Sequence, residues 1–134
     1  THQWTIDNEQ CMLNTLCMDK PNAILDKSYA FALKIVPFCL KIQSERKEYV
    51  LTKQLLKSGT SVGANVEEAE QAQSKKDFIS KLSISLKEAH ETRFWLRLMR
   101  DTKIAPEKES NELIEEIHQI IKLLVAIIKS SKID

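Results

Sequence analysis

Three arginines stand at helical spacing in the most basic part of this sequence. Arg93, Arg97 and Arg100 are separated by four and three residues, so a helix would carry their guanidinium groups on one stripe. Residues 74–104 contain eight basic side chains and four acidic ones, whereas residues 105–134 contain four basic and six acidic. Because guanidinium groups fit phosphate oxygens, this region is a candidate contact surface for a nucleic-acid backbone.

The lysines of the same region extend the candidate surface. Its members are the basic residues Lys75, Lys76, Lys81, Lys87, Arg93, Arg97 and Arg100. An alternative stays open, in which the arginines form ion pairs with acidic neighbours such as Glu88 and Asp101, or with the acidic segment that follows. The formal net charge of +1 and the pI near 7.6 do not indicate a dedicated nucleic-acid protein, although a balanced total can hide a local patch.

A second segment with the composition of a ligand-binding loop runs from Lys57 to Ala69 and reads KSGTSVGANVEEA. It contains both glycines of the chain. A phosphate-binding Walker loop requires the pattern GxxxxGK[ST], but Gly63 follows Gly59 one residue too early and precedes Ala64 instead of a lysine. We therefore expect no phosphate-binding loop here.

An apolar stripe passes through this segment without losing helical phase. Its members are spaced by 4, 3, 4, 4 and 3 residues, and they are Leu51, Leu55, Ser58, Val62, Val66 and Ala69. The pattern predicts one helix in which Ser58, Gly59 and Gly63 let another helix approach closely. Two shorter helices broken at Gly59 are the alternative.

Polar residues along the same region are predicted to take part in helix packing or in an interface. Four of them follow one flank of the stripe and are interpreted as hydrogen-bonding across a helix pair, namely Gln54, Ser61, Asn65 and Glu68. A solvated edge is the alternative for this line. Three further residues with predicted packing or interface roles are Glu88, Glu91 and Trp95.

No catalytic or metal-binding set can be assembled from the sequence. The one ExxH motif runs from Glu115 to His118, whereas a di-metal bundle needs two such motifs and two further glutamates. The helical phase points neither side chain reliably towards the predicted core. The three histidines are not paired with a serine or cysteine nucleophile. We predict a protein that is not an enzyme and that uses no cofactor or metal.

The composition is that of an all-α protein. The 134 residues include only 2 glycines and 3 prolines, and 29% are charged. A chain of this length forms one domain that buries about two thirds of its unfolded surface.

Cys11, Cys17 and Cys39 form no CxxC pair, which favours a reducing cytoplasm over a disulfide framework or a zinc site. We also expect no association with a membrane, because no apolar run is long enough to span one.

Helical periodicity predicts four helices, over about residues 22–44, 45–73, 74–102 and 106–131. Short links between them favour an up-down antiparallel four-helix bundle over residues 21–134. Residues 1–20 are predicted to be a poorly structured or appended segment, with Met18 as an alternative natural start. The fourth helix carries surplus apolar residues, Leu123, Val125 and Ala126, which predict that another subunit or an extra helix covers them.

These residues resemble a known family. The run KSYAFALKIV and the block YVLTKQLLKSGTSVGANVEEAEQAQSKKDFISKLSISLKEAHETRFWLRLM are similar to the four-helix-bundle proteins encoded in intervening sequences of bacterial 23S ribosomal RNA genes. The resemblance covers about residues 24–128. Short motifs of the family are met at Gln54, Ser58, Gly63, Glu68, Asp77, Lys81, Lys87, Glu91 and Trp95. Pro37 and the stretch before Met18 depart from the family pattern.

The resemblance implies a ring-like homopentamer with no known catalytic activity. Relatives that accompany reverse transcriptases of diversity-generating retroelements act as nucleic-acid-binding accessory subunits, which reaches this chain as an analogy. Our leading hypothesis is a non-enzymatic homo-oligomeric bundle that associates with RNA or a ribonucleoprotein through the third helix. A protein scaffold with no nucleic-acid role is the alternative.

Overall fold

The computed structural model describes residues 23–133, which form four α-helices and no strand. The helices are α1 (Ala23–Arg46), α2 (Val50–Glu70), α3 (Lys75–Asp101) and α4 (Glu107–Ser131). Each helix packs on the next in the chain, and α4 returns to α1 through the least extensive of the four contacts. The predicted all-α four-helix bundle is confirmed by this arrangement. The predicted N-terminal segment, residues 1–20, lies outside the described residues.

One continuous core fills the space between the helices. Each helix contributes a buried stripe at the three- and four-residue spacing of an amphipathic helix. The largest side chains that are fully buried are Phe31, Phe78, Ile24, Ile35, Leu55, Leu82, Leu96, Met99, Ile117, Ile120 and Leu124. Burial of these stripes is the main source of stability, since short helices are marginal in water on their own.

The second helix runs through both glycines without a break. A Cβ atom added at Gly59 would lie 3.1 Å from Cγ2 of Ile35, and one added at Gly63 would lie 3.4 Å from the carbonyl oxygen of Ser28. Both neighbours belong to α1. The glycines therefore lie where α1 approaches α2 closely, and Gly59 has the less room for a side chain.

Two buried hydroxyl groups connect α2 to α3. Thr92 Oγ1 donates to Ser58 Oγ at 3.0 Å, and Ser85 Oγ donates to the carbonyl oxygen of Val62 at 2.8 Å. Ser58, Ser85 and Thr92 are all buried. These bonds satisfy polar groups inside the core and fix the register of the two helices.

The turn between α1 and α2 lies later in the chain than the sequence indicated. The first helix ends later than predicted, and the second helix begins later than predicted. Lys47 adopts a left-handed conformation with φ of 54°, which stops α1 after Arg46. The carboxylate of Glu48 then accepts hydrogen bonds from the backbone N–H groups of Val50, Leu51 and Thr52, at 3.0, 2.8 and 2.9 Å. The predicted start of the second helix at residue 45 is corrected to Val50, because side-chain capping at Glu48 defines the first turn.

We expect Glu48→Ala to lower the free energy of unfolding by about 1 kcal/mol at neutral pH, since the first-turn N–H groups lose their acceptor. Burial raises the pKa of Glu48, but the three backbone hydrogen bonds outweigh it and hold the pKa below its ordinary value. The contribution of Glu48 is therefore fully present above the ordinary glutamate pKa and is lost as pH falls through the lowered one.

Thermal melting of the parent and of Glu48→Ala at neutral and acidic pH checks this prediction. The difference in melting temperature should shrink as the pH falls. Glu45→Ala is the matched control, since Glu45 is an exposed glutamate close to the same turn. A difference that stayed constant with pH would contradict a role for the Glu48 carboxylate.

Candidate nucleic-acid and subunit interfaces

One line of side chains on α3 is exposed along almost the whole helix. Its members recur every three or four residues and are Lys76, Ser80, Ser83, Lys87, His90, Phe94 and Arg97. We call this line the α3 ridge. It spans about 30 Å at about 1.5 Å per residue. The ridge combines three permanent cations with two hydroxyl groups, an imidazole and an exposed aromatic ring.

The three arginines of the predicted stripe have different environments. Arg97 is exposed and has no hydrogen-bond or ion-pair partner among the described residues. Arg100 binds Oδ1 of Asp101 through Nε at 2.8 Å and Oδ1 of Asn111 on α4 through Nη1 at 2.9 Å. The hydrogen bond to Asp101 raises the pKa of Arg100 and lowers the pKa of Asp101. Arg93 contacts Nδ1 of His90 at 3.2 Å. The pairing alternative therefore describes Arg100, whereas Arg97 is available to a partner.

The predicted lysines also divide into two groups. Lys81 forms an ion pair with Glu68 of α2 at 2.9 Å, and this hydrogen bond raises the pKa of Lys81. Lys75 is half-buried in the first turn of α3. Lys76 and Lys87 are exposed and have no partner among residues 23–133. Among the seven predicted basic residues, those that are exposed and have no partner in the described chain are Lys76, Lys87 and Arg97, all members of the α3 ridge.

Phe94 is a part of this surface that the sequence interpretation missed. Its side chain is 52% exposed and makes an edge-to-face contact with Trp95, with ring centroids 5.1 Å apart. Trp95 is half-buried against the core and donates Nε1–H to Glu91 at 3.1 Å. Helical spacing could have identified Phe94 as part of this surface, because it comes four residues after His90 and three before Arg97.

The remaining residues with predicted packing roles make mostly local contacts. Ser61 donates to the carbonyl oxygen of Lys57 at 2.7 Å, and Asn65 donates to that of Ser61 at 2.8 Å, so both bond within α2. Gln54 is exposed and Glu88 is half-buried. Of the predicted polar line on α2, only Glu68 reaches another helix through its side chain.

A second exposed surface lies on α1 and is apolar. Its four members are spaced by 4, 3 and 4 residues and are Tyr29, Leu33, Val36 and Leu40, with exposed fractions of 62%, 59%, 37% and 52%. We call them the α1 stripe. Tyr29 also borders a shallow cleft with α2 that Ala32, Thr60, Gly63 and Ala64 line. Leu33 also lines the groove between α1 and α4, so the stripe follows the outer side of α1 between its two neighbouring helices.

The α1 stripe corrects the expectation that surplus apolar surface lies on the fourth helix. Leu123 is buried, and Val125 and Ala126 are half-buried in the bundle. The fourth helix contacts both α3 and α1, so its broad apolar face is used within the chain. The first helix, by contrast, leaves apolar residues exposed. The residues that α1 buries in the core are a separate set from the α1 stripe.

A groove of about 710 Å³ runs between α1 and α4. Its lining includes the apolar side chains Phe38, Ile42, Ile104 and Leu113. Arg46 bridges one end, since its Nη1 donates to the carbonyl oxygens of Lys103 and Ile104 at 2.8 and 3.1 Å. An ion pair between Lys34 and Glu116 bridges the groove further along. The α4 wall is acidic, with Glu109, Glu112 and Glu116 in line.

Cys39 and the ExxH motif are the two features of the described residues that most resemble parts of a catalytic or metal site. Burial raises the pKa of the Cys39 thiol to about 12, so it carries no thiolate nucleophile near neutral pH. Glu115 accepts a hydrogen bond from Gln119 and His118 is exposed, so the ExxH motif points away from the core. Residues 23–133 contain no cluster of three or more acidic, histidine or cysteine side chains suited to a metal ion.

Within the described part of the chain, none of the helices combines the length and apolarity that crossing a membrane requires.

Comparisons with known proteins agree on one group. The family model for the 23S rRNA-intervening sequence protein matches residues 20–126. A solved structure with the same fold is that of a protein with unknown function from the S23 ribosomal protein family of Bacteroides thetaiotaomicron. It is 48% identical in sequence, and the match covers 79% of this chain and 98% of that chain with a TM-score of 0.78. No functionally curated protein matches the chain significantly.

Proposed function

This chain belongs to the family of 23S rRNA-intervening sequence proteins, and we propose that it is a non-enzymatic, homo-oligomeric bundle that binds RNA or a ribonucleoprotein through the α3 ridge. The expected assembly is a pentamer, as the family resemblance implies, and the expected location is the cytoplasm. The α3 ridge is the observation that carries the RNA-binding part of the proposal. The α1 stripe is the observation that carries the oligomeric part.

The α3 ridge has the features of a surface that tracks a nucleic-acid strand. Lys76, Lys87 and Arg97 place three cations along about 30 Å, with no partner within the described chain. Cations contact backbone phosphates irrespective of base identity. Phe94 is an exposed aromatic side chain, the type of group on which unpaired bases stack. These features favour single-stranded loops of structured RNA, where bases are free to leave a helix.

The α1 stripe supports self-association. Its 4-3-4 spacing gives a continuous apolar seam, which is the pattern by which helices pack on one another in water. A seam of exposed tyrosine, leucine and valine costs free energy unless another surface covers it. Because α1 and α3 do not neighbour each other in the ring of helix contacts, self-association through α1 leaves the α3 ridge uncovered.

Titration of an RNA hairpin at two salt concentrations tests the RNA-binding part. Replacing Lys76, Lys87 and Arg97 by glutamine should weaken binding of every RNA sequence similarly. The slope of log affinity against log salt should fall by about 2 to 3 for each engaged subunit, since each phosphate contact contributes close to one unit. Phe94→Ala should lower the affinity about tenfold and leave the salt slope unchanged.

The control carries three charge-neutralising changes on another helix. Lys108, Lys122 and Lys129 are exposed lysines of α4, and their replacement by glutamine gives the same change in net charge. This variant should bind RNA with the parent affinity. Salt-sensitive binding that both variants retain would assign the RNA contact to a surface other than the α3 ridge.

A protein scaffold with no nucleic-acid role is the second candidate function. It is favoured by the environments of Arg93 and Arg100, whose guanidinium groups already have partners within the chain. Assembly of the parent without any affinity for RNA at low salt would support the scaffold function and rule out the first candidate.

A further inference from the structure

The first half of the α3 ridge carries two serines between two lysines. Ser80 and Ser83 are exposed and lie about 6 and 10 Å beyond Lys76 along the helix, and Lys87 lies about 16 Å beyond it. Neither serine hydroxyl has a hydrogen-bond partner among residues 23–133. The ridge includes no carboxylate along this stretch. A polyanionic strand can therefore lie along it with both hydroxyl groups within reach.

These two hydroxyl groups differ from most others in the helices. Most serine and threonine side chains of the four helices donate to a backbone carbonyl group, as Thr60 does to Leu56 at 2.8 Å. A hydroxyl bonded in this way has committed its only proton to the backbone. The hydroxyls of Ser80 and Ser83 keep both their donor and their acceptor capacity for a bound molecule.

The two halves of the ridge offer different contacts to a nucleic-acid strand. Beyond Lys87, the exposed rings of His90 and Phe94 are groups on which bases stack. Before Lys87, only small hydroxyl side chains stand between the cations, so a sugar–phosphate backbone can approach the helix closely. Sugars alternate with phosphates along a strand. A strand whose phosphates contact Lys76 and Lys87 therefore places its intervening sugars beside the two serines.

The sugar is the part of the strand that a serine can identify. A ribose 2′-hydroxyl both donates and accepts hydrogen bonds, as a serine hydroxyl does, whereas deoxyribose lacks this group. On a DNA strand the two serines would lose contact with water without gaining a partner, which costs free energy. The lysines cannot make this distinction, because RNA and DNA carry the same phosphates.

We infer that Ser80 and Ser83 select RNA over DNA by hydrogen bonding to ribose 2′-hydroxyl groups of the bound strand. The cations of the α3 ridge provide affinity for the phosphates, and the two serines distinguish the sugars. This inference rests on the proposed binding of RNA through the α3 ridge, and it adds the residues that determine which kind of nucleic acid is bound.

Two RNA hairpins that differ only in the sugars of the loop test the inference. One has ribose throughout, and the other has 2′-deoxyribose in the loop, so the stem and the base sequence are identical. The parent should bind the ribose loop about tenfold more tightly, as expected for two hydrogen bonds. Ser80→Ala with Ser83→Ala should bind both loops with the affinity that the parent has for the deoxyribose loop. Its salt dependence should equal that of the parent, since no charge changes.

Ser44→Ala is the matched control. Ser44 is exposed on α1, and its hydroxyl also has no hydrogen-bond partner among the described residues. This variant should keep the parent preference for the ribose loop. Circular dichroism checks that each variant is folded, which we expect because alanine favours a helix more than serine does.

The possible failures of the inference and of the proposed function are distinguishable. A parent that binds both loops equally, or a double serine variant that keeps the preference, overturns the role of Ser80 and Ser83 and leaves RNA binding by the α3 ridge standing. A parent without affinity for either loop overturns the inference together with the proposed RNA binding. The same holds for RNA binding that survives replacement of Lys76, Lys87 and Arg97 by glutamine.

Discussion

If the chain assembles as proposed, replacing Leu33 and Leu40 by lysine should leave it a monomer of 15.4 kDa. Within one subunit these side chains are 59% and 52% exposed, so neither change removes a core contact. In the assembly, each new ammonium group would have to leave water and lie on an apolar surface, which is costly without a partner. Sedimentation or light scattering at micromolar concentration checks the expectation, and circular dichroism checks that the helices persist.

The control for this variant is Val50→Lys. Val50 is the more exposed side chain, at 72%, but it lies in the first turn of α2 and outside the α1 stripe. We expect Val50→Lys to assemble with the parent mass. A Leu33→Lys, Leu40→Lys variant that kept the parent mass would show that the α1 stripe is not the subunit interface.

Gly59→Leu should lower the free energy of unfolding by about 3 kcal/mol, because the larger side chain overpacks the contact between α1 and α2. The glycine is buried, and the side chain that it faces, Ile35, is fully buried as well. A leucine there would push α1 away from α2 along their line of closest approach. The melting temperature should fall by about 12 °C for a domain of this size.

Two changes at Gly63 complete this test. Gly63 is only half-buried, so Gly63→Leu should cost about 1 to 3 kcal/mol. In Gly63→Ala the new Cβ would make an ordinary contact of 3.4 Å with the Ser28 carbonyl oxygen. Alanine also favours the helix by about 1 kcal/mol over glycine, so this variant should be at least as stable as the parent. A Gly59→Leu variant that melts with the parent would refute the close approach of α1 and α2.

The second helix shows why most of the fold could be predicted from sequence. Its stripe from Leu55 to Ala69 keeps helical phase through both glycines, and the buried face observed in the structure follows that stripe. Periodicity reports which residues turn towards the core, because burial imposes the same spacing along the whole helix. The turn at Lys47 and Glu48 was missed, because it depends on one left-handed residue and one carboxylate.

The candidate surfaces were less predictable, because a helical wheel gives angles within one helix but not the neighbours of that helix. Arg93, Arg97 and Arg100 do share one side of α3, yet Arg100 reaches Asn111 of α4 and only Arg97 lies on the exposed ridge. The apolar residues of α4 that looked surplus in the sequence pack within the bundle, which a helical wheel of α4 alone does not show. Both α1 and α4 carry more apolar residues than one buried stripe needs, and the two look alike in the sequence. Only the packing of the helices determines which of these apolar faces stays exposed.

The separation of the α1 stripe from the α3 ridge has a consequence for affinity. In a ring joined through α1, every copy would display its own ridge, so one RNA molecule could engage several ridges at once. After the first ridge binds, the others meet the same strand at a high effective concentration, and the avidity of the ring can exceed that of one subunit by about 10² to 10⁴. The three exposed cations and one aromatic ring of a single ridge would form only a weak site. Several such ridges acting together on one RNA would be sufficient for tight binding. A monomeric variant should consequently lose most of its RNA affinity with its ridge residues intact.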